Sequence, residues 1–217
     1  MAPRSRRTRR AQLARRLEEG AENPPTPPRV RVLEAALSLF AERGFRATSL
    51  RSIARRAEVS LGCVQHHFPT KGELEHAVLE RAMETFRAEQ ASAFEAPDED
   101  IESLLHAGMR NYFRWARENP EVMRLGAWLT LEGRDRRWPT EAELDAELVR
   151  RVQAAQSAGE LRDLDPLLLL TVVGLLMNGW AIAQRHHGQR LGDLGEETDE
   201  RFADFAVDLL LRGARAR

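Results

Sequence analysis

Between residues 29 and 43 the apolar side chains Leu33, Ala36, Leu37 and Phe40 recur at i, i+3, i+4 and i+7, the spacing that lays one stripe along an α-helix. Gly44 follows and predicts the stop, because glycine suits a left-handed C-terminal cap. A second, short helix is predicted over 49–57, with Thr48 or Ser49 as N-cap, Leu50 opening it, and Ile53, Ala54 and Ala57 on one face. Glu58-Val59 makes a tight connection. Ser60 caps a third helix that carries Val64 inward and ends near Phe68-Pro69, and Thr70 caps a longer one holding Leu74, Val78, Leu79 and Phe86. Beyond it Pro97, Pro120, Pro139 and Pro166 each open a helical stretch. Ile101, Leu104, Leu105, Gly108, Tyr112 and Trp115 share one stripe; Phe202, Phe205, Ala206 and Leu209 share another, in a helix expected over 198–212. No run alternates as a strand does, so the expected fold is all-α, about nine helices without an internal repeat.

Charge divides the chain that hydropathy leaves uniform. The formal net charge is -1, yet residues 1–76 hold fourteen Arg and one Lys against eight acids, a balance of +7, which leaves -8 for residues 77–217. An N-terminal part of that sign is what contact with a polyanion requires. Seven Arg (Arg4, Arg6, Arg7, Arg9, Arg10, Arg15 and Arg16) precede four prolines between Pro24 and Pro28, which reads as a basic tail and a semi-rigid linker over 1–28. At 42% hydrophobic and 31% charged the composition excludes wholesale disorder. One cysteine, Cys63, excludes an internal disulfide framework and fits a reducing cytoplasm, and the Arg-rich start has no apolar core of a secretory signal. The uncharged run 166–184 is long enough to suggest a membrane span. Its Thr171, Gly174, Asn178 and Gly179 favour a buried helix instead.

Three short helices in succession, the last two joined by a tight turn, form the layout of a helix-turn-helix. Packing against the first helix leaves the third exposed on one side, able to enter a major groove. The helix beginning at Ser60 has only Val64 and Phe68 to bury, so Leu61, Gly62, Cys63, Gln65 and His66 face outward. Gly62 and Cys63 let the backbone approach a duplex closely, and Gln65 presents both donor and acceptor to an adenine edge. Arg46, Thr48, Ser49, Arg51, Arg55, Arg56, His67 and Lys71 surround this face as phosphate-reaching groups, and two helix N-termini add backbone N–H donors.

Over residues 29–76 the runs Ala41-Glu42-Arg43-Gly44-Phe45-Arg46-Ala47-Thr48-Ser49-Leu50-Arg51-Ser52-Ile53-Ala54, Ala57-Glu58-Val59-Ser60-Leu61-Gly62 and His67-Phe68-Pro69-Thr70-Lys71-Gly72-Glu73-Leu74 resemble the DNA-binding domain of the tetracycline-repressor (TetR) family of transcription regulators. Two positions depart from that pattern: Gln65 stands where the family usually has tyrosine, and Glu58 where its turn often has glycine. The resemblance implies that Arg51, Leu61, Gly62 and Gln65 lie near bases and that Ser49, Cys63, His67 and Lys71 meet phosphates. It also implies a helical effector-binding and dimerisation domain over 77–217, the uncharged helix after Pro166 and the helix over 198–212 pairing with their copies across a two-fold axis.

Residues 101–185 concentrate Met109, Tyr112, Phe113, Trp115, Met123, Trp128, Trp138, Met177 and Trp180, the composition of a core or of an apolar ligand cavity. In a TetR-like frame Met109, Tyr112, Phe113, Trp128, Met177, Asn178 and Trp180 are the expected lining, Asn178 and Gln184 being the polar groups able to orient a ligand. No cofactor or metal is expected: adjacent histidines such as His66-His67 and His186-His187 point about 100° apart on a helix and do not share an ion readily. No nucleophile-base set and no Gly-rich phosphate loop argues for an enzyme. The expected partners are double-stranded DNA bearing a palindrome, a small apolar effector and a second copy of the chain, with no membrane. The rival reading is a sequence-indifferent DNA-binding protein working through its Arg-rich tail.

Overall fold

The computed structural model describes residues 26–94, 100–134, 141–191 and 195–214. Nine helices account for most of these residues: α1 Pro28–Arg43, α2 Leu50–Arg56, α3 Leu61–His67, α4 Lys71–Phe94, α5 Ile101–Glu118, α6 Pro120–Leu131, α7 Glu141–Ser157, α8 Pro166–Leu191 and α9 Glu196–Ala214. No β-strand occurs among the described residues. The Arg-rich tail, Pro97, Trp138 and Pro139 lie outside them.

Local chemistry sets the boundaries. Pro28, Pro120 and Pro166 open α1, α6 and α8, positions where a missing N–H costs nothing. Ser49, and not Thr48, is the N-cap of α2: its hydroxyl accepts from Ser52 N–H while the Ser52 hydroxyl accepts from Ser49 N–H, a reciprocal capping box. Ser60 caps α3 through Cys63 N–H at 3.1 Å, and Thr70 accepts from Glu73 N–H at 3.1 Å. α5 starts at Ile101, capped by Asp100, which accepts from Ser103 N–H at 2.8 Å. Between α2 and α3, Glu58 takes φ 54° in the left-handed region, with Val59 N–H reaching Ala54 O and Glu58 N–H reaching Arg55 O. This is a Schellman turn made without its customary glycine. Gly44 ends α1 with φ 78° and ψ 172°, a glycine-only conformation rather than the left-handed helical cap the sequence suggests. The reason is the approach of α6: a Cβ on Gly44 would lie 3.0 Å from the Trp128 ring and 2.5 Å from Glu132 Oε1.

Two apolar cores result. The first joins Leu33, Ala36 and Phe40 of α1, Ile53 of α2, Val64 of α3, and Leu74, Val78 and Leu79 of α4 to Leu125 and Leu129 of α6. Burial of each large side chain here contributes about 1.5–3 kcal/mol. From beyond the expected boundary after residue 76, α4 and α6 also contribute side chains to this core. The second core lies among α5, α7, α8 and α9 with part of α4 and α6, around Met109, Phe113, Val152, Trp180, Ala203 and Val207.

The stripe read as Phe202, Phe205, Ala206 and Leu209 divides between two faces of α9. Ala203, Ala206 and Val207 are buried, Phe202 stacks on Trp180 with ring centres 4.2 Å apart, and Phe205 and Leu209 are exposed. Their outward face adjoins in kind that of α8, where Leu167, Leu168, Val172, Leu175 and Ile182 are also exposed.

Candidate nucleic-acid interface

The candidate surface is built from the seven-residue helices α2 and α3, which a few buried side chains fix. Val64 and Phe68 anchor α3 in the first core, which turns Gly62, Gln65 and His66 outward and leaves Leu61, Cys63 and His67 half-buried at its edges. Ser49, Arg51, Arg55 and Ser60 are exposed beside it on and before α2 and α3. Gly62 is open: a Cβ there would meet nothing nearer than Ser60 Oγ at 3.9 Å. α1 and α2 border a cleft lined by Leu39, Arg43, Ser52, Arg55 and Arg56, three of them cationic. Arg56 within it is tied to Glu42 at 2.6 Å, and that ion pair is the main cause holding the Glu42 carboxyl below its ordinary range.

Three groups expected at phosphates are engaged elsewhere. Thr48 is 3% exposed, and its hydroxyl donates inward to Gly44 O at 2.8 Å or Leu39 O at 3.2 Å. Lys71 donates to Phe45 O at 2.8 Å and to Thr48 O at 2.7 Å, with its ammonium 4.0 Å from the Phe45 ring centre; burial and the nearby Arg134 charge push its pKa down. Arg46 donates from its guanidinium to Glu132 O and from its backbone N–H to Glu132 Oε1. All three bind the loop over 44–48 to its surroundings. Glu75, Glu132 and Arg134, which hold the other side of that loop, were not singled out by sequence. Their partners lie 59 to 86 positions away in the chain, beyond any helical period.

In the C-terminal region Trp128 is also placed differently from expectation. Its indole N–H donates to Ala41 O at 3.2 Å and its ring covers Gly44, so it joins α6 to α1 instead of lining a cavity. Trp180 donates to the buried Asp199 carboxylate at 2.8 Å, which also receives Arg117. Met109 and Phe113 are fully enclosed, and Met177 is half-buried. Tyr112 donates to Asn178 Oδ1 at 2.5 Å across α5 and α8, and burial pushes its phenol pKa up. Beside it, Phe86 lies with ring centres 5.9 Å from Tyr112 and 5.0 Å from Trp115. The Trp115 indole N–H, in a residue 3% exposed, has no acceptor among the described residues. The side chains of Gln184, His186 and His187 lie outside the described residues. Among the described residues no three His, Cys, Asp or Glu side chains converge as a metal site.

Comparison with known proteins gives this arrangement a family. Residues 32–78 match the model of bacterial regulatory proteins of the tetR family, and residues 109–208 match a tetracyclin repressor-like C-terminal domain. The HTH-type transcriptional repressor SCO4008 of Streptomyces coelicolor is 27% identical over 165 residues, covering 75% of this chain and 82% of that protein. The HTH-type transcriptional repressor Rv3405c of Mycobacterium tuberculosis is 55% identical over 49 residues, 23% of this chain and 26% of that one. Among solved structures, a TetR family regulator from Marinobacter aquaeolei aligns with TM-score 0.70 at 21% identity over 88% of this chain and 96% of its own. SCO4942 of Streptomyces coelicolor, a transcriptional regulator, aligns with TM-score 0.66 at 24% identity over 85% and 98%. With both its N-terminal and its C-terminal regions matched, the chain belongs to the TetR family of DNA-binding transcriptional regulators.

Proposed function

We propose that the protein is a cytoplasmic homodimeric repressor that holds a palindromic operator and leaves it when a small apolar effector enters the C-terminal domain. The observation that carries the reading is the outward face of α3, where Gly62, Gln65 and His66 are exposed and Gly62 leaves open space for close approach. Gln65 and the α3 backbone read base edges; Ser49, Arg51, Ser60, Cys63 and His67 meet the phosphates beside them. The repressor named in Streptomyces coelicolor, matched over most of its length, supports repression as the sign.

Dimerisation rests on the exposed apolar faces of α8 and α9, which a second copy would cover as a four-helix interface, setting two α3 helices about one DNA turn apart. The effector reading rests on the aromatic interior of α4, α5 and α8. The unpaired Trp115 N–H favours an effector that adds a hydrogen-bond acceptor to an apolar body, and the balance of -8 over residues 77–217 favours a neutral or cationic one. Such a ligand needs to prefer a DNA-incompetent arrangement by only a few kcal/mol to release the operator. In the rival reading the Arg-rich tail binds any duplex alike, and here the tail adds phosphate affinity to a sequence-reading domain.

Selection of genomic fragments by the purified full-length chain at fixed physiological salt tests the proposal. A palindrome preferred over unrelated duplex by on the order of 10³ or more is expected. No enriched motif would overturn it in favour of the sequence-indifferent reading. On the selected site, Gln65→Ala is expected to relax preference at one position per half-site by about 1–3 kcal/mol.

A further inference from the structure

The loop over 44–48 ends on Ser49, the N-cap of α2, so its position fixes where α2 and α3 stand. The chain segment that follows α6 grips this loop from the far side. Glu132 accepts the Arg46 backbone N–H at 3.1 Å, and its carbonyl accepts the Arg46 guanidinium at 3.3 Å. The Arg134 guanidinium lies 3.7 Å from the Phe45 ring centre and donates to Glu75 Oε2 at 2.5 Å, the Glu75 side chain being 7% exposed. Lys71 shares the same ring and holds the loop carbonyls. Two cations thus flank one aromatic ring, and the carboxylates Glu75 and Glu132 balance them from α4 and from the end of α6.

We propose that Glu132 and Arg134 are positioning residues for DNA recognition: acting through Phe45, Arg46 and Glu75, the end of α6 sets the placement of the 44–48 loop and hence of the α2–α3 pair. This rests on the operator-binding reading above and adds to it the route by which the C-terminal domain reaches the reading head. The chemistry favours placement over plain stability. A largely buried ion pair gains little net free energy once desolvation is counted, and here Glu75 Oε1 and Arg134 Nε find no further partner among the described residues. Its consequence is directional: the pair holds the Arg134 guanidinium against the Phe45 ring, opposite the Lys71 ammonium on the same ring. The tight seating of Trp128 and Glu132 over Gly44 makes the contact sensitive to small shifts of α6.

The test uses the full-length protein, the operator from genomic selection and an unrelated duplex of equal length, with affinity read by fluorescence anisotropy and folding by thermal melting. Arg134→Gln is expected to weaken operator binding about tenfold while changing affinity for the unrelated duplex less than about twofold. Arg134→Lys, which retains a charge for Glu75 but loses the planar stack on Phe45, is expected to fall between the two and serves in place of Arg134→Gln if that variant does not fold. Glu75→Gln combined with Arg134→Gln is expected to cost no more than the worse single change, since both break one link. Equal losses on both duplexes, or operator affinity unchanged in the folded variants, would overturn the inference alone. A wild-type protein without any preferred duplex would overturn the repressor reading and this inference together.

Discussion

At Gly62 the fold accepts a cost that no close packing among the described residues requires. Glycine inside a helix is about 0.5–1 kcal/mol less stable than alanine, and the space for a methyl group is open on α3. Gly62→Ala is therefore expected to raise folding stability by about that amount in denaturant titration, while weakening operator binding because the added Cβ stands where the backbone approaches the groove. Greater stability with undiminished affinity would rule out the close approach. Glu58 presents the complementary case. A left-handed conformation costs an L-residue roughly 1–2 kcal/mol, of which glycine recovers most but returns part to the freer unfolded chain. Glu58→Gly should stabilise the protein by about 0.5–1 kcal/mol, visible as a higher melting temperature, and an unchanged or lower value would show that the Glu58 side chain offsets its backbone strain. Gly44 resembles neither: there φ 78° and the Trp128 ring both exclude a side chain, so its glycine serves the docking of α6.

Helix boundaries are where sequence and structure agree most closely, because a cap and the turn it satisfies lie within four residues. Asp100 illustrates what such a cap does. Its carboxylate accepts Ser103 N–H, the largest cause holding its pKa below the ordinary value of 3.8. Since the folded state depresses this pKa, the stability it contributes is present above the ordinary value and is lost as pH falls through the lowered one. Asp100→Asn keeps a cap without a titrating group, so its stability is expected to fall less steeply than that of the wild type between about pH 5 and 2 in denaturant melts. Parallel curves would show that the carboxylate charge contributes nothing. Readings that depended on distant partners fared worse. Thr48 and Lys71 have the residue types of phosphate contacts, yet the fold-back of the 44–48 loop presents them with carbonyls, and desolvation there favours hydrogen bonds over exposure. Trp128 is a cavity aromatic in the TetR-like frame, but its acceptor is Ala41, 87 positions away. In α9 the apolar stripe was legible and its division was not, since periodicity gives the angle of Phe205 and Leu209 without saying whether that side meets this chain or another.

At the scale of the whole molecule the question is what covers α8 and α9. Leu167, Leu168, Leu175, Phe205 and Leu209 are each more than half exposed, an accumulation of bare large apolar side chains on two helices that calls for a cover. Residues 166–183 have a mean hydropathy of 1.9 and are long enough for a lipid bilayer. The companion helix argues against lipid as the cover: Asp204, Asp208 and Arg212, all more than half exposed, flank Phe205 and Leu209, and their charges would be costly in hydrocarbon. A second copy of the same surface, as proposed above, would cover both helices and leave the charges at the rim. It also places Gly174 and Gly179, where an added Cβ would meet no atom within 4 Å, at points that partner helices can approach closely. In the proposed operator complex the duplex would impose the same demand from outside, because one α3 helix would contact half a palindrome and two would have to stand about 34 Å apart to add their contacts. Phe205→Glu combined with Leu209→Glu should therefore leave the helical circular dichroism intact, convert the dimer to monomer in sedimentation equilibrium, and reduce operator affinity to that of an isolated half-site. A dimer that survives both charges would mean that the copies meet through another face, and a monomer that still binds the full operator with wild-type affinity would mean that pairing is not what selects the palindrome.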